Sequence, residues 1–125
     1  TPKPTPRPMT SFRQGDVIKL PFPYADHRTR QSRPALVVSV GSIEDAHGLL
    51  LVVMITRADN RGWPGDVPVS NLGTAGLPLP SVIRTAKIAT IEAADATKLG
   101  RVSEAVFRKV AMRLGRELGF VSPVN

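Results

Sequence analysis

Five charged or titratable side chains, Asp26, His27, Arg28, Arg30 and Arg33, crowd into the eight residues that precede the apolar run Pro34-Ala35-Leu36-Val37-Val38. A guanidinium stays charged at any working pH and offers a planar fork of donors that matches phosphate oxygens. Arg33 directly precedes the apolar run, so a strand would anchor it from behind while its head faces solvent. It could equally be a rim arginine paired with Asp16 or Asp26. Thr56 ends a second apolar run, "LLLVVMIT", and its hydroxyl can both donate to and accept from a phosphate, although threonine is also a common strand former. Asp26, His27, Arg28 and Arg30 suit either a lid over an anionic ligand or a plain solvated loop. His47, in "EDAHG", has no such company. Trp63 in "RGWPG" could stack on a base or pin a Gly/Pro loop to the body.

Other chemistries are poorly served. The sequence contains no HExxH, no GxxxxGK[ST] and no GxGxxG, the patterns that would signal a zinc hydrolase or a nucleotide cradle. No nucleophile elbow is present. The absence of cysteine removes disulfides, thiolate nucleophiles and Cys-ligated zinc, and fits a cytoplasmic protein. No metal and no cofactor are expected.

The elements that must hold these residues read mostly as strands. "GDVIKLPFP" alternates after a turn signal and stops at its prolines. "RPALVVSV" and "LLLVVMIT" are continuous apolar strands suited to burial on both faces. "GSIEDAHG" between them is expected to be a turn. "DVPVS" is a short strand that its proline pushes to an edge. "NLGTAGLPLP" reads as a loop, "SVIRTAKIATI" as one or two short strands, "EAADATK" as a helical turn and "LGRVS" as a brief strand. The periodicity then changes: "SEAVFRKVAMRLGRELG" predicts an amphipathic helix with Ser103 as N-cap and Gly119 as stop. Val106, Phe107, Val110, Leu114 and Leu118 fall on its apolar side, with Arg108, Lys109, Arg113 and Arg116 opposite. Short strands and one terminal helix predict a mainly β, α+β architecture: a small, strongly bent sheet or barrel with the helix packed on it.

The chain has 125 residues, enough for one domain with a modest core. Prolines at positions 2, 4, 6 and 8 make residues 1–12 a flexible arm, excluded from the fold. The domain is expected over 13–121, with 122–125 as a short tail. No run approaches the roughly 18 apolar residues of a membrane span, and the first ten residues lack the apolar centre of a secretory signal. The net charge of +7 and pI near 10.8 favour a polyanion or an acidic protein as partner, with simple solubility as the alternative.

In order and spacing, Gly15-Asp16-Val17, "RPALVVS" at 33–39, "VVMIT" at 52–56, "GLPLPSVIRTAKIATIE" at 76–92 and the terminal "KLGRVSEAVFRKVAMRLGRELG" resemble the MazF/PemK family of bacterial toxins. The resemblance implies an SH3-like barrel with a C-terminal helix, a homodimer, and a metal-independent endoribonuclease that cuts single-stranded RNA. It also implies a cognate, usually acidic antitoxin that lies across the RNA groove. Arg33 and Thr56 match the family's catalytic arginine and threonine, and Ser81 matches a groove position. Arg84 matches the arginine of a "V-I-R-x-D" pattern whose aspartate falls here on Ala86, so that acid–base pair does not carry over. Asp26, His27, Arg28, Arg30, Arg57, Ser81 and Arg84 are the residues expected around the substrate. Two alternatives share the barrel: a toxin that poisons DNA gyrase, and a binding module for RNA or protein without catalysis.

Overall fold

A computed structural model of the chain describes residues 11–21 and 32–120. In chain order these form β1 (Asp16–Leu20), β2 (Arg33–Val37), α1 (Gly41–His47), β3 (Leu49–Arg57), β4 (Val67–Pro68), α2 (Leu72–Ala75), β5 (Ser81–Glu92), a 3-10 turn (Ala93–Asp95), β6 (Thr97–Arg101) and α3 (Glu104–Glu117). The six strands make one antiparallel sheet in the order β4-β5-β3-β2-β1-β6, bent into a half-barrel with α3 against it. The expected architecture is therefore the one observed.

The strand pattern explains the placement. Val52, Val53, Met54 and Ile55 are buried in succession on β3, because β3 lies between β2 and β5 and is covered on both faces. Val17, Leu36 and Val53 stand in register across β1, β2 and β3 and pack toward Val106 and Val110 of α3. One residue along, Ile18, Ala35 and Met54 belong to a second cluster with Phe12, Leu50 and Ile91. A period of two thus splits the core between two faces, and a slip of one residue would exchange them. Pro68 sits on the edge strand β4, as its missing N–H requires.

Four local readings are corrected. "GSIEDAHG" is not a turn but the seven-residue α1, closed by Gly48 at φ 67. "NLGTAGLPLP" contains the one-turn α2, capped by the Asn71 side chain, which accepts from the Thr74 N–H at 3.2 Å. Both helices are too short for periodicity to reveal. Phe12, assigned to the arm, is buried in the second cluster, and the N–H groups of Ser11 and Phe12 donate to the Glu44 carboxylate on α1. Leu118, assigned to the apolar side of the terminal helix, is exposed at its C-cap, whereas Arg113, assigned to the wet side, is half-buried and lies against Gly65. The Ser103 cap is as expected, accepting from the Val106 N–H at 3.1 Å.

"SVIRTAKIATI" is a single 12-residue strand whose pairing with β3 is interrupted. Val53 pairs with Ile88 and Met54 with Arg84, so the ladder skips residues 85–87. That irregularity is why the segment reads as either one strand or two. Among the described residues no helix is long and apolar enough to cross a membrane.

Candidate active site

β2 and β3 pair so that Ala35, Leu36 and Val37 face Met54, Val53 and Val52. The first of these pairs is Ala35 with Met54, and Arg33 and Thr56 each lie two residues beyond it, at the same end of the two strands. Both line one cleft, of about 140 Å³. Arg57 and Ser81 share it, being partners themselves across β3 and β5. Leu77 and Leu79, from the segment between α2 and β5, form its apolar wall.

The charges at the cleft are unequal. Arg33 is half-buried, and among the described residues no hydrogen bond or ion pair holds its guanidinium. The rim pairing with Asp16 does not form: Asp16 is fully buried at the other end of β1 and takes Arg101 at 2.6 Å and Lys98 at 3.5 Å, while Arg33 pairs with Leu20. Arg57 is exposed and pairs with Asp59 at 2.8 Å. The Ser81 hydroxyl is buried and donates to the Leu79 carbonyl at 2.8 Å, so it braces the cleft wall. The Thr56 hydroxyl accepts from Asn60 Nδ2 at 2.6 Å. Asp26, His27, Arg28 and Arg30 lie outside the described residues.

Arg84 is not brought to this cleft. Its guanidinium donates to both Asp66 carboxylate oxygens, at 3.2 and 3.0 Å, and to the Arg61 carbonyl at 2.7 Å. It also lies 4.2 Å from the centre of the Trp63 ring. Both partners of the ion pair are only 11% exposed, so water screens the pair weakly. Trp63 is thereby held to the body by an arginine of β5, the pinning alternative, while 42% of its surface stays open.

Burial works to raise the Asp66 pKa, but the Arg84 hydrogen bonds, the Trp63 N–H and the Arg84 charge outweigh it and hold the carboxyl below its ordinary value. A carboxylate pKa depressed in the fold contributes stability that is complete above the unfolded value near 4 and is lost as pH falls through the lower folded value. Acidification below about pH 4 is therefore expected to loosen the 61–66 loop and change the fluorescence of Trp63, the sole tryptophan. Asp66→Asn should give the changed spectrum already at neutral pH. An identical emission spectrum for that variant would disprove the coupling.

Asn60, Asp59 and the Leu77–Leu79 wall are site residues that sequence reading missed. Asn60 lies four residues past Thr56 in a polar loop, and only the turn that folds the loop back brings it to the hydroxyl. Among the described residues no three His, Asp or Glu side chains gather as a metal site.

The class defined by this arrangement is a bent antiparallel half-barrel with a terminal helix, carrying an arginine and a threonine across two central strands. Residues 13–118 match the family model described as PemK-like, MazF-like toxin of type II toxin-antitoxin system. The chain belongs to that family. No curated protein matches the chain. Among solved structures it is similar to an endoribonuclease in complex with its cognate antitoxin from a mycobacterial species, with 22% identity and a TM-score of 0.72 over 90% of this chain and 100% of that one. It is also similar to the MazE-MazF complex of Deinococcus radiodurans, with 23% identity and a TM-score of 0.69 over 86% and 95%. The Mycobacterium tuberculosis toxin MazF-mt6 aligns with 22% identity and a TM-score of 0.65 over 85% and 97%. At these identities the likeness is one of fold.

Proposed function

We propose that this MazF-like toxin is a metal-independent endoribonuclease that cleaves single-stranded RNA at short sequences, with Arg33 and Thr56 as the residues on the scissile phosphate. The observation that carries the reading is the meeting on one cleft of a guanidinium that has no partner among the described residues and a strand-end hydroxyl. RNA brings its own nucleophile. The 2′-oxygen forms a bond to phosphorus as the bond to the 5′-oxygen breaks; one proton leaves the 2′-hydroxyl and one reaches the departing 5′-oxygen. The products are a 2′,3′-cyclic phosphate and a 5′-hydroxyl.

The protein's part is alignment and charge stabilisation, which supply much of the acceleration in phosphoryl transfer. Arg33 binds the non-bridging oxygens as negative charge builds on them. With a pKa above 12 it stays a cation and does not serve as the base. Thr56 donates to a phosphate oxygen. Arg57 and Ser81 line the approach, while His27, beside Asp26, Arg28 and Arg30 in the charged loop, is the imidazole nearest the site in sequence and is assigned the proton shuttle. The excess of positive charge draws the polyanion in. It also suits an acidic antitoxin segment that folds onto the groove. The working form is read as a cytoplasmic homodimer.

Incubating the purified chain with a mixed single-stranded RNA in EDTA tests this directly. New 5′-hydroxyl ends are expected, and a single 2′-deoxy sugar at the cleaved position should stop the cut while leaving binding largely intact. Binding without new ends would favour the non-catalytic module. Loss of gyrase supercoiling without RNA cleavage would favour the gyrase poison.

A further inference from the structure

The five residues that follow the buried part of β3 fold back on themselves. The Asn60 backbone N–H donates to the Arg57 carbonyl at 3.1 Å, and its side-chain amide donates to Thr56 Oγ1 at 2.6 Å. The Ala58 N–H donates to the Pro80 carbonyl at 2.9 Å, which ties the turn to the wall opposite. Asp59 holds Arg57 at 2.8 Å. The turn is thus fastened at both ends, and the amide of Asn60, a residue outside the cleft lining, bonds to the cleft hydroxyl.

A threonine hydroxyl has one proton and two lone pairs, and its proton rotates to suit its neighbours. Once an amide N–H occupies a lone pair, the hydroxyl proton must point elsewhere. On the Thr56 side that remains open lies the cleft it shares with Arg33. A phosphate there has only acceptor oxygens, so a hydroxyl that presented a lone pair would repel it. A hydroxyl whose proton is already turned outward needs no reorganisation when charge develops, which is the condition for electrostatic preorganisation.

We propose that Asn60 is a positioning residue: its amide fixes the Thr56 hydroxyl as a donor to the scissile phosphate. The proposal rests on the ribonuclease reading for its catalytic consequence, and on the Asn60–Thr56 hydrogen bond for its geometry. Asn60 touches no substrate in this account; it acts through Thr56 alone.

The test uses the full chain with Asn60→Ala and Asn60→Asp, each alone and combined with Thr56→Ala. Asn60→Asp keeps the shape but reverses the polarity: its carboxylate accepts the hydroxyl proton and turns a lone pair toward the phosphate. Its kcat is expected to fall about 100-fold, and that of Asn60→Ala about 10-fold, with KM changing less than about threefold, the pattern of an interaction made in the transition state. In the Thr56→Ala background both substitutions should change the rate by no more than about twofold. A turn that merely held the loop would give equal losses in both backgrounds, and that result overturns the proposal. So would Asn60→Asp cleaving at the wild-type rate.

A second measurement does not depend on cleavage. Three-bond NMR couplings between the Thr56 hydroxyl proton and its β-proton should report one hydroxyl orientation in the wild type and averaging in Asn60→Ala. Unchanged couplings overturn the proposal even where the wild type proves inert toward RNA. An inert wild type removes the ribonuclease reading instead, and the couplings then decide the Asn60 role by themselves.

Discussion

Arg33→Ala is expected to lower the rate of RNA cleavage by about 10³-fold, because on the proposed mechanism the variant loses the guanidinium assigned to developing phosphate charge; this is the loss typical of removing a preorganised donor, and corresponds to about 4 kcal/mol of barrier. The fold should be unaffected. Arg33 is half-buried at the start of β2, its backbone partner is Leu20, and among the described residues its head makes no hydrogen bond or ion pair. The thermal midpoint and the circular dichroism spectrum should therefore match those of the wild type. Arg33→Lys separates charge from geometry. It keeps the cation but loses the fork, so cleavage should fall about 10-fold to 100-fold while salt-dependent RNA binding persists. Wild-type cleavage by Arg33→Ala would take this residue out of the mechanism. Arg57 offers no ready substitute, since it is exposed and already paired with Asp59.

Gly100→Ala should have the largest effect on stability, about 3 kcal/mol, from overpacking a contact that has no side chain to yield. A β-carbon at Gly100 would run into the backbone of Thr74 and Ala75, and one at Gly76 into the backbone of Leu99. These two glycines let α2 lie directly on β6. That approach matters to the cleft, because α2 leads into Leu77 and Leu79, which form its wall. Either α2 lifts away or β6 loosens from β1 when the methyl is added. Chemical denaturation of Gly100→Ala should detect the loss, and residual cleavage should drop as the wall shifts. Gly48→Ala provides the comparison. Gly48 has the positive φ, 67, that Gly100 lacks, and nothing stands near its would-be β-carbon, so only backbone strain of roughly 1 kcal/mol is incurred. A loss at Gly100 no larger than that at Gly48 would mean that the close backbone contact between α2 and β6 yields to a methyl group at little cost.

Much of this architecture is legible residue by residue. The continuous run at 49–55 reads as a strand, though only Val52–Ile55 are buried in succession and Leu51 is exposed; Pro68 is pushed to an edge, and Ser103 with the 3.6-residue spacing of Val106 and Val110 marks the terminal helix. These signals survive because each is local: burial of a period-two or period-3.6 stripe is decided by the side chains along that stripe. The placement of Arg33 before one buried strand and Thr56 at the end of the next was readable for the same reason. Two neighbouring antiparallel strands bring the start of one beside the end of the other.

What only the tertiary structure decided lies where distant segments meet. Arg84 and Arg33 are chemically alike in the sequence, yet one is locked against Asp66 and Trp63 while the other lines the cleft with no partner among the described residues. Asp16, equally plausible as a partner for Arg33, is taken by Arg101, 85 positions away. The helical turns α1 and α2 carry no periodic signal and exist because Glu44 finds the N–H groups of Ser11 and Phe12 and because Gly76 and Gly100 admit close backbones. An ion pair or a close approach depends on the position of both partners in space, and the type of one residue carries no record of the other. Strand and helix stripes are therefore written along the chain, whereas the choice of which arginine is locked into an ion pair and which lines the cleft emerges only when the sheet has closed around them.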